Sequence, residues 1–228
     1  MKRKNLVIVV IVFGLMGLSA MGQNLVPNGS FEIYDTCPSG NGQINYATGW
    51  SSYCATPDYF NPCNNTTAGV PINFVGYQNA EFGVSYAGLF TYARSGFYRE
   101  ILGIQLIQSL IIGQKYFVKF YTNMALLNNV SIATNKMGIR FSTIPYSYNN
   151  PVPIDNFAHV YSDSIITDTL NWIKISGSFI ADSTYQYVSV GNFFNDSTTT
   201  HVLMDTSGWF AYYYIDNIIV STDRKSVV

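Results

Sequence analysis

Charge is scarce in this 228-residue sequence: only 11% of residues are Asp, Glu, Lys or Arg. Of the 12 basic residues, Lys2, Arg3 and Lys4 stand at the very start, leaving nine beyond residue 22 against 13 acidic ones, net −4. That balance offers no basic stripe to track a phosphate backbone, which argues against nucleic acid as a partner. Glutamate is rarer still: Glu32, Glu81 and Glu100 are the only three. No carboxylate pair stands out as acid and nucleophile for glycoside cleavage. There is no HExxH and no glycine-rich phosphate loop. Gly83-Val-Ser-Tyr-Ala87 departs from a nucleophile elbow at its last position, and no helical pattern follows it. The two histidines, His159 and His201, fall in loop-like stretches without an adjacent Cys or Ser. We therefore expect no catalytic residues.

Long apolar runs are also missing, with one exception. Met1-Lys-Arg-Lys-Asn5 precedes the apolar stretch Leu6 to Leu18, and small residues follow at Ala20 and Gly22. This pattern describes a secretory signal peptide over residues 1–22, too short for a bilayer span of about 20 residues. No Cys stands at the cleavage site, which argues against a lipid anchor. Cysteine is limited to Cys37, Cys54 and Cys63. In an exported chain this suggests one disulfide and one leftover thiol. Three pairings are possible; Cys37 with Cys63 closes the longest loop, which on chain-entropy grounds stabilises most. A zinc site would need four ligands, and both histidines are distant in sequence.

Aromatic residues are abundant, at 16% with 18 Tyr. Tyr116, Val118 and Phe120 alternate with Phe117, Lys119 and Tyr121, the period of two expected of a strand. Leu170–Ile180 alternates likewise, and further strands are expected over 24–34, 83–90, 96–102, 136–141, 185–193 and 209–220. Residues 35–80 read as irregular, with four prolines and all three cysteines. Eight or nine strands separated by Pro, Gly and Asn turns, with no amphipathic helix, point to one all-β domain over 23–221, a sandwich or jelly roll. Residues 222–228 read as a polar tail. Asp216 interrupts the apolar last strand, and a carboxylate there must find partners. The distant candidate is Asn28-Gly-Ser-Phe-Glu32, so the two ends of the domain are expected to meet.

Four stretches carry a resemblance. Asn24-Leu-Val-Pro-Asn-Gly-Ser-Phe-Glu32 with Trp50 resembles the opening of CenC-like carbohydrate-binding modules. Leu110 with Gly113-x-x-Tyr116 resembles their central signature. Asp168-Thr-Leu-Asn-Trp172 with Ser176-Gly-Ser-Phe179, and Tyr213-Tyr-Ile-Asp-Asn-Ile218, resemble their later strands. Cys37-Pro38, Thr56-Pro-Asp-Tyr-Phe60, Tyr98-Arg-Glu-Ile101 and Gly191-Asn-Phe193 are similar to a group of secreted proteins of gliding-type Gram-negative bacteria. The resemblance implies a galactose-binding-like jelly roll with a structural calcium held by Glu32 and Asp216, helped by Asn28. The alternative is that Asp216 only accepts backbone or tyrosine hydrogen bonds.

It also implies a secreted, non-catalytic module. Its partner would be a polysaccharide or cell-surface glycan, at the outer membrane or cell wall. Sugar rings stack on aromatic faces, and the candidates for that role are Tyr53, Tyr59, Tyr86, Tyr98 and Arg99, with Trp50 and Phe60 nearby. Two other readings stay open: a structural or adhesive sandwich with no sugar ligand, and a hydrolase using the Cys-rich loop as a lid.

Overall fold

The computed structural model describes residues 22–127 and 130–228. The expected signal peptide lies outside the described residues, Gly22 excepted. In chain order the strands are β1 (Trp50–Cys54), β2 (Asp58–Phe60), β3 (Ile72–Asn73), β4 (Gly76–Tyr77) and β5 (Tyr86–Ala93). Next come β6 (Ile101–Gln105), β7 (Lys115–Met124), β8 (Ile132–Thr134), β9 (Met137–Ser142) and β10 (Val160–Tyr161). The last four are β11 (Ile173–Ile180), β12 (Tyr187–Asn192), β13 (His201–Leu203) and β14 (Phe210–Ser221). Among the described residues, helix is limited to 3-10 turns at Ile44–Tyr46 and Arg224–Ser226.

Two five-stranded antiparallel sheets form a jelly-roll β-sandwich. One has the order β1-β6-β12-β9-β10 and the other β11-β7-β14-β5-β2. The fold is thus all-β as expected. Alternation explains which side chains meet between the sheets. Tyr116, Val118 and Phe120 of β7, with Leu89 of β5 and Tyr213 and Ile215 of β14, face Trp50, Leu102, Ile104, Ile139, Phe141 and Val188 in one buried cluster. Each of these side chains contributes roughly 1.5–3 kcal/mol by leaving water. The opposite residues of β14 and β5, namely Tyr212, Tyr214 and Tyr86, form a second buried cluster on the outer face of that sheet.

Several sequence expectations change. Residues 24–34 form no strand. Asn24 takes over that work with its side chain, its Nδ2 donating to the Ile218 carbonyl at 2.9 Å and its Oδ1 accepting from the Val220 amide at 2.9 Å. The Leu25 amide donates to the Val220 carbonyl at 2.8 Å. The two ends therefore do meet, through a side chain imitating a strand partner. Residues 35–80 are not a free loop. They supply β1 to β4, and Ala68, Val70, Phe74 and Val75 cover the outer tyrosine cluster. A disulfide joins Cys37 and Cys63, with Cα atoms 6.0 Å apart. It fixes the start of this cover to the segment before β1. Cys54 is a free thiol whose Sγ donates to the Arg99 carbonyl at 3.3 Å. His201 opens β13 rather than a loop and stacks on Tyr92 at 4.7 Å.

Candidate functional site

Glu32 and Asp216 are held by one loop. The amides of Val84 and Ser85 donate to Glu32 Oε1 at 2.9 and 3.0 Å. Those of Glu81 and Phe82 donate to Asp216 Oδ2, both at 2.9 Å. The Asn217 amide adds a bond to Asp216 Oδ1 at 2.6 Å. Gly83 sits between the two pairs at φ +68°, and a Cβ there would lie 2.3 Å from the Glu32 carboxyl carbon. Only glycine allows the loop to wrap so closely. Asn217 also has positive φ, +50°. It forms a bulge in β14 between Asp216 and Ile219. This extra residue returns Ile218 to the core after Asp216 has turned outward. Burial pushes the Asp216 carboxyl up, against the pull of its three amide donors.

A calcium ion here would have to share Glu32 Oε1 and both Asp216 oxygens with five backbone amides. The amide hydrogens point their positive ends at oxygens a cation would need. Asn28 is occupied as well, bonding the Ile33 amide and the carbonyls of Ile33 and Thr48. Among the described residues, no group of three or more His, Cys, Asp or Glu could hold a metal. The open alternative, a carboxylate satisfied by backbone donors, is what the geometry supports.

The aromatic candidates separate sharply. Tyr59 and Tyr86 are wholly buried, as is Phe60. The Tyr59 hydroxyl donates to the Phe31 carbonyl at 3.0 Å and that of Tyr86 to the Gln78 carbonyl at 2.9 Å. A sugar cannot reach either ring, which corrects the expectation for both. Trp50 is core, stacked on Phe31 at 4.7 Å. Arg99 is 2% exposed, so it cannot orient a sugar hydroxyl either. Its Nη2 donates to Asp196 at 2.7 Å and to the Phe194 carbonyl at 3.1 Å. Tyr53 floors a cleft of about 370 Å³ with Cys54 and the exposed Tyr148.

Tyr98, the most exposed of the five, lies in a second aromatic cleft. Phe90, Ala93, Ser95, Gly96, Phe97, Tyr98 and Phe210 line about 430 Å³. Antiparallel pairing of β5 with β14 brings Phe90 and Phe210 together, ring centroids 5.3 Å apart. The Arg94 amide closes the end of the pair on the Trp209 carbonyl at 2.8 Å. Gly96, at φ +80°, then turns the chain back with nothing near it. Phe97 and Tyr98 follow, 53% and 37% exposed, and Trp209 at the neighbouring strand end is 46% exposed.

The cleft stands on a buried polar base. The Arg99 guanidinium lies 4.8 Å from the Phe97 ring. Glu100, 1% exposed, accepts the Tyr98 hydroxyl at 2.9 Å, the Thr56 hydroxyl at 3.1 Å and the Phe90 amide at 2.9 Å. Burial and the Glu100 carboxylate push the Tyr98 phenol up to about 12. It therefore stays a hydrogen-bond donor at neutral pH. Asp58 lies deeper, accepting the Tyr212 hydroxyl at 2.6 Å. Burial raises its carboxyl to about 7. Neither Asp58 nor Glu100 lines the cleft. The sequence marked Tyr98 but gave no sign of Phe90, Phe97, Phe210 or Trp209. The only available signal was the glycine turn between aromatic strands.

No family model matches this chain, and no curated protein matches it. Solved structures with some likeness include a CBM22 xylan-binding domain from Paenibacillus barcinonensis, 14% identical, covering 88% of this chain and 94% of that one, at a TM-score of 0.44. A cleaved adhesin domain of Lys-gingipain from Porphyromonas gingivalis is 13% identical, covering 89% and 99%, at 0.45. A Stig cyclase from Fischerella sp. TAU is 12% identical, covering 86% and 96%, at 0.45. Values this low carry no argument about ligand or activity.

Proposed function

We propose that this chain is an exported, non-catalytic β-sandwich that binds glycans in the Phe90–Phe97–Tyr98–Phe210 cleft. The observation that carries the reading is the convergence of four rings on one open cleft beside a fixed hydroxyl. Flat apolar faces match the C–H faces of pyranose rings, while a polar group orients hydroxyls. The Cys37–Cys63 disulfide supports export to an oxidising compartment. The buried carboxylates favour binding over catalysis: Glu100 and Asp58 both bond groups that hold the fold together. A glycan array probed with the full chain tests the proposal. Binding to neutral polysaccharides that disappears in a Phe97→Ala/Phe210→Ala variant is the expected result. No binding to any glycan, or binding unaltered by the substitutions, overturns it.

A further inference from the structure

The nine cations beyond residue 22 are unevenly placed. Among the described residues Arg99, Lys136 and Arg140 form ion pairs, with Asp196, Asp163 and Asp155. Arg94 lies 5.9 Å from the centre of the Trp209 ring. Of the remaining five, Lys115, Lys174 and Arg224 line a single groove of about 510 Å³. No Asp or Glu side chain lines it. Glu81, outside the lining, accepts the Asn217 side-chain amide at 2.7 Å, and the Asp223 carboxylate accepts the Lys225 amide at 3.0 Å. In a chain with net negative charge, three cationic side chains thus meet at one groove, which Val227 and Val228 also line.

The strand pattern builds the groove. On β7, Tyr116, Val118 and Phe120 enter the core, so Lys115, Phe117, Lys119 and Tyr121 share the outer face. Successive outward residues stand about 6.6 Å apart along a strand. A chain laid along β7 would thus meet a cation, a ring, a cation and a ring in turn. Each ammonium lies close to its neighbouring ring, Lys115 at 5.4 Å from Phe117 and Lys119 at 5.7 Å from Tyr121. Across the pair, Ser176 stands opposite Lys119 and Ser178 opposite Phe117, and both serines are exposed. Arg224 closes the groove from the turn after β14.

We propose that this groove is a second binding site, and that it takes an acidic polysaccharide bearing uronate carboxylates. The lysines and Arg224 meet the carboxylates, Phe117 meets a ring face, and the serine hydroxyls bond ring hydroxyls. A nucleic acid fits less well. Its closely spaced phosphates call for a longer run of cations, and the overall charge repels it. This inference stands apart from the aromatic cleft and does not depend on it.

The test measures binding of the full chain to polygalacturonate, and separately to oligothymidylate, over a range of salt. Polygalacturonate binding that weakens as salt rises is expected, because exposed charges are screened. A Lys115→Gln/Lys174→Gln variant should lose at least tenfold in affinity with an unchanged melting temperature, since Lys115 and Lys174 are both exposed. Failure to bind polygalacturonate, undiminished binding by the variant, or tighter binding of oligothymidylate would overturn the proposal.

Discussion

Glu32 and Asp216 grip opposite halves of one five-residue loop, Glu81–Ser85, through its backbone amides. The first segment of the domain and its last strand are tied together by this loop, in addition to the direct Asn24 bonds. If the clasp is made of amides, removing divalent cations will not loosen it. Melting with and without a chelator should give the same temperature. Asp216→Ala, by contrast, strips three amides of their acceptor. The three bonds are part-buried, and a hydrogen bond to a charged acceptor contributes roughly 1.5–3 kcal/mol, so the variant should lose about 2 kcal/mol or more. A drop in melting temperature on chelation would return a structural metal to this site.

The aromatic cleft makes a graded prediction. Phe210→Ala removes one wall while Phe90 and Tyr98 remain. Glycan affinity should fall about tenfold, equivalent to about 1.4 kcal/mol. Tyr98→Phe keeps the ring but takes a donor from the buried Glu100 carboxylate. Stability should fall by roughly 1–2 kcal/mol, alongside weaker binding. Titration calorimetry and thermal melting on the same samples separate the two effects. Equal affinity in all three proteins would remove the cleft from consideration.

The disulfide offers a third check. Cys37 and Cys63 are 26 residues apart, and closing a loop of that size stabilises by about 3 kcal/mol through the unfolded chain. Cys37→Ser/Cys63→Ser should unfold at correspondingly lower denaturant concentration. Cys54→Ser should change stability far less, because that thiol makes a single weak bond. Comparable losses from both substitutions would assign Cys54 a structural part it lacks here.

How much of this was legible beforehand depends on the physics behind each feature. The alternation in β7 was readable because a strand has a strict period of two and the core rewards it. Asp216 was conspicuous because an unpaired carboxylate in an apolar strand is costly. Its partners were not readable, since backbone amides in Glu81–Ser85 have no residue signature beyond Gly83. Tyr59, Tyr86 and Tyr98 looked alike for a related reason. Tyrosine suits a buried site with a hydroxyl partner as well as an open one. Tyr59 falls in the core between the sheets, Tyr86 lies beneath the cover formed by Ala68–Val75, and Tyr98 stays outside both. The Phe90–Phe210 contact arises from strand pairing across a long stretch of sequence, and the grouping of Lys115, Lys174 and Arg224 arises the same way.

The buried carboxyls set the pH response. Burial raises Asp58 from 3.8 to about 7 and moves Glu100 in the same direction. In the unfolded chain both release their protons near pH 4, while in the fold Asp58 holds its proton until about pH 7. Between those values the folded state binds more protons, so stability falls as pH rises. His159 works in the opposite sense. Its ring is enclosed by Phe141, Phe157, Phe179 and Tyr185, and burial lowers it from 6.5 to about 4. Its contribution is present above pH 6.5 and is lost as pH falls toward 4. Wild-type protein should therefore melt at a lower temperature at pH 8 than at pH 6.5, where only the carboxyl effect acts. Asp58→Asn keeps an acceptor for the Gly42 amide but cannot titrate, so its decline over that range should be shallower. A wild-type profile that rises from pH 6.5 to 8, or a variant with an unchanged slope, would show that Asp58 is already ionised in the fold.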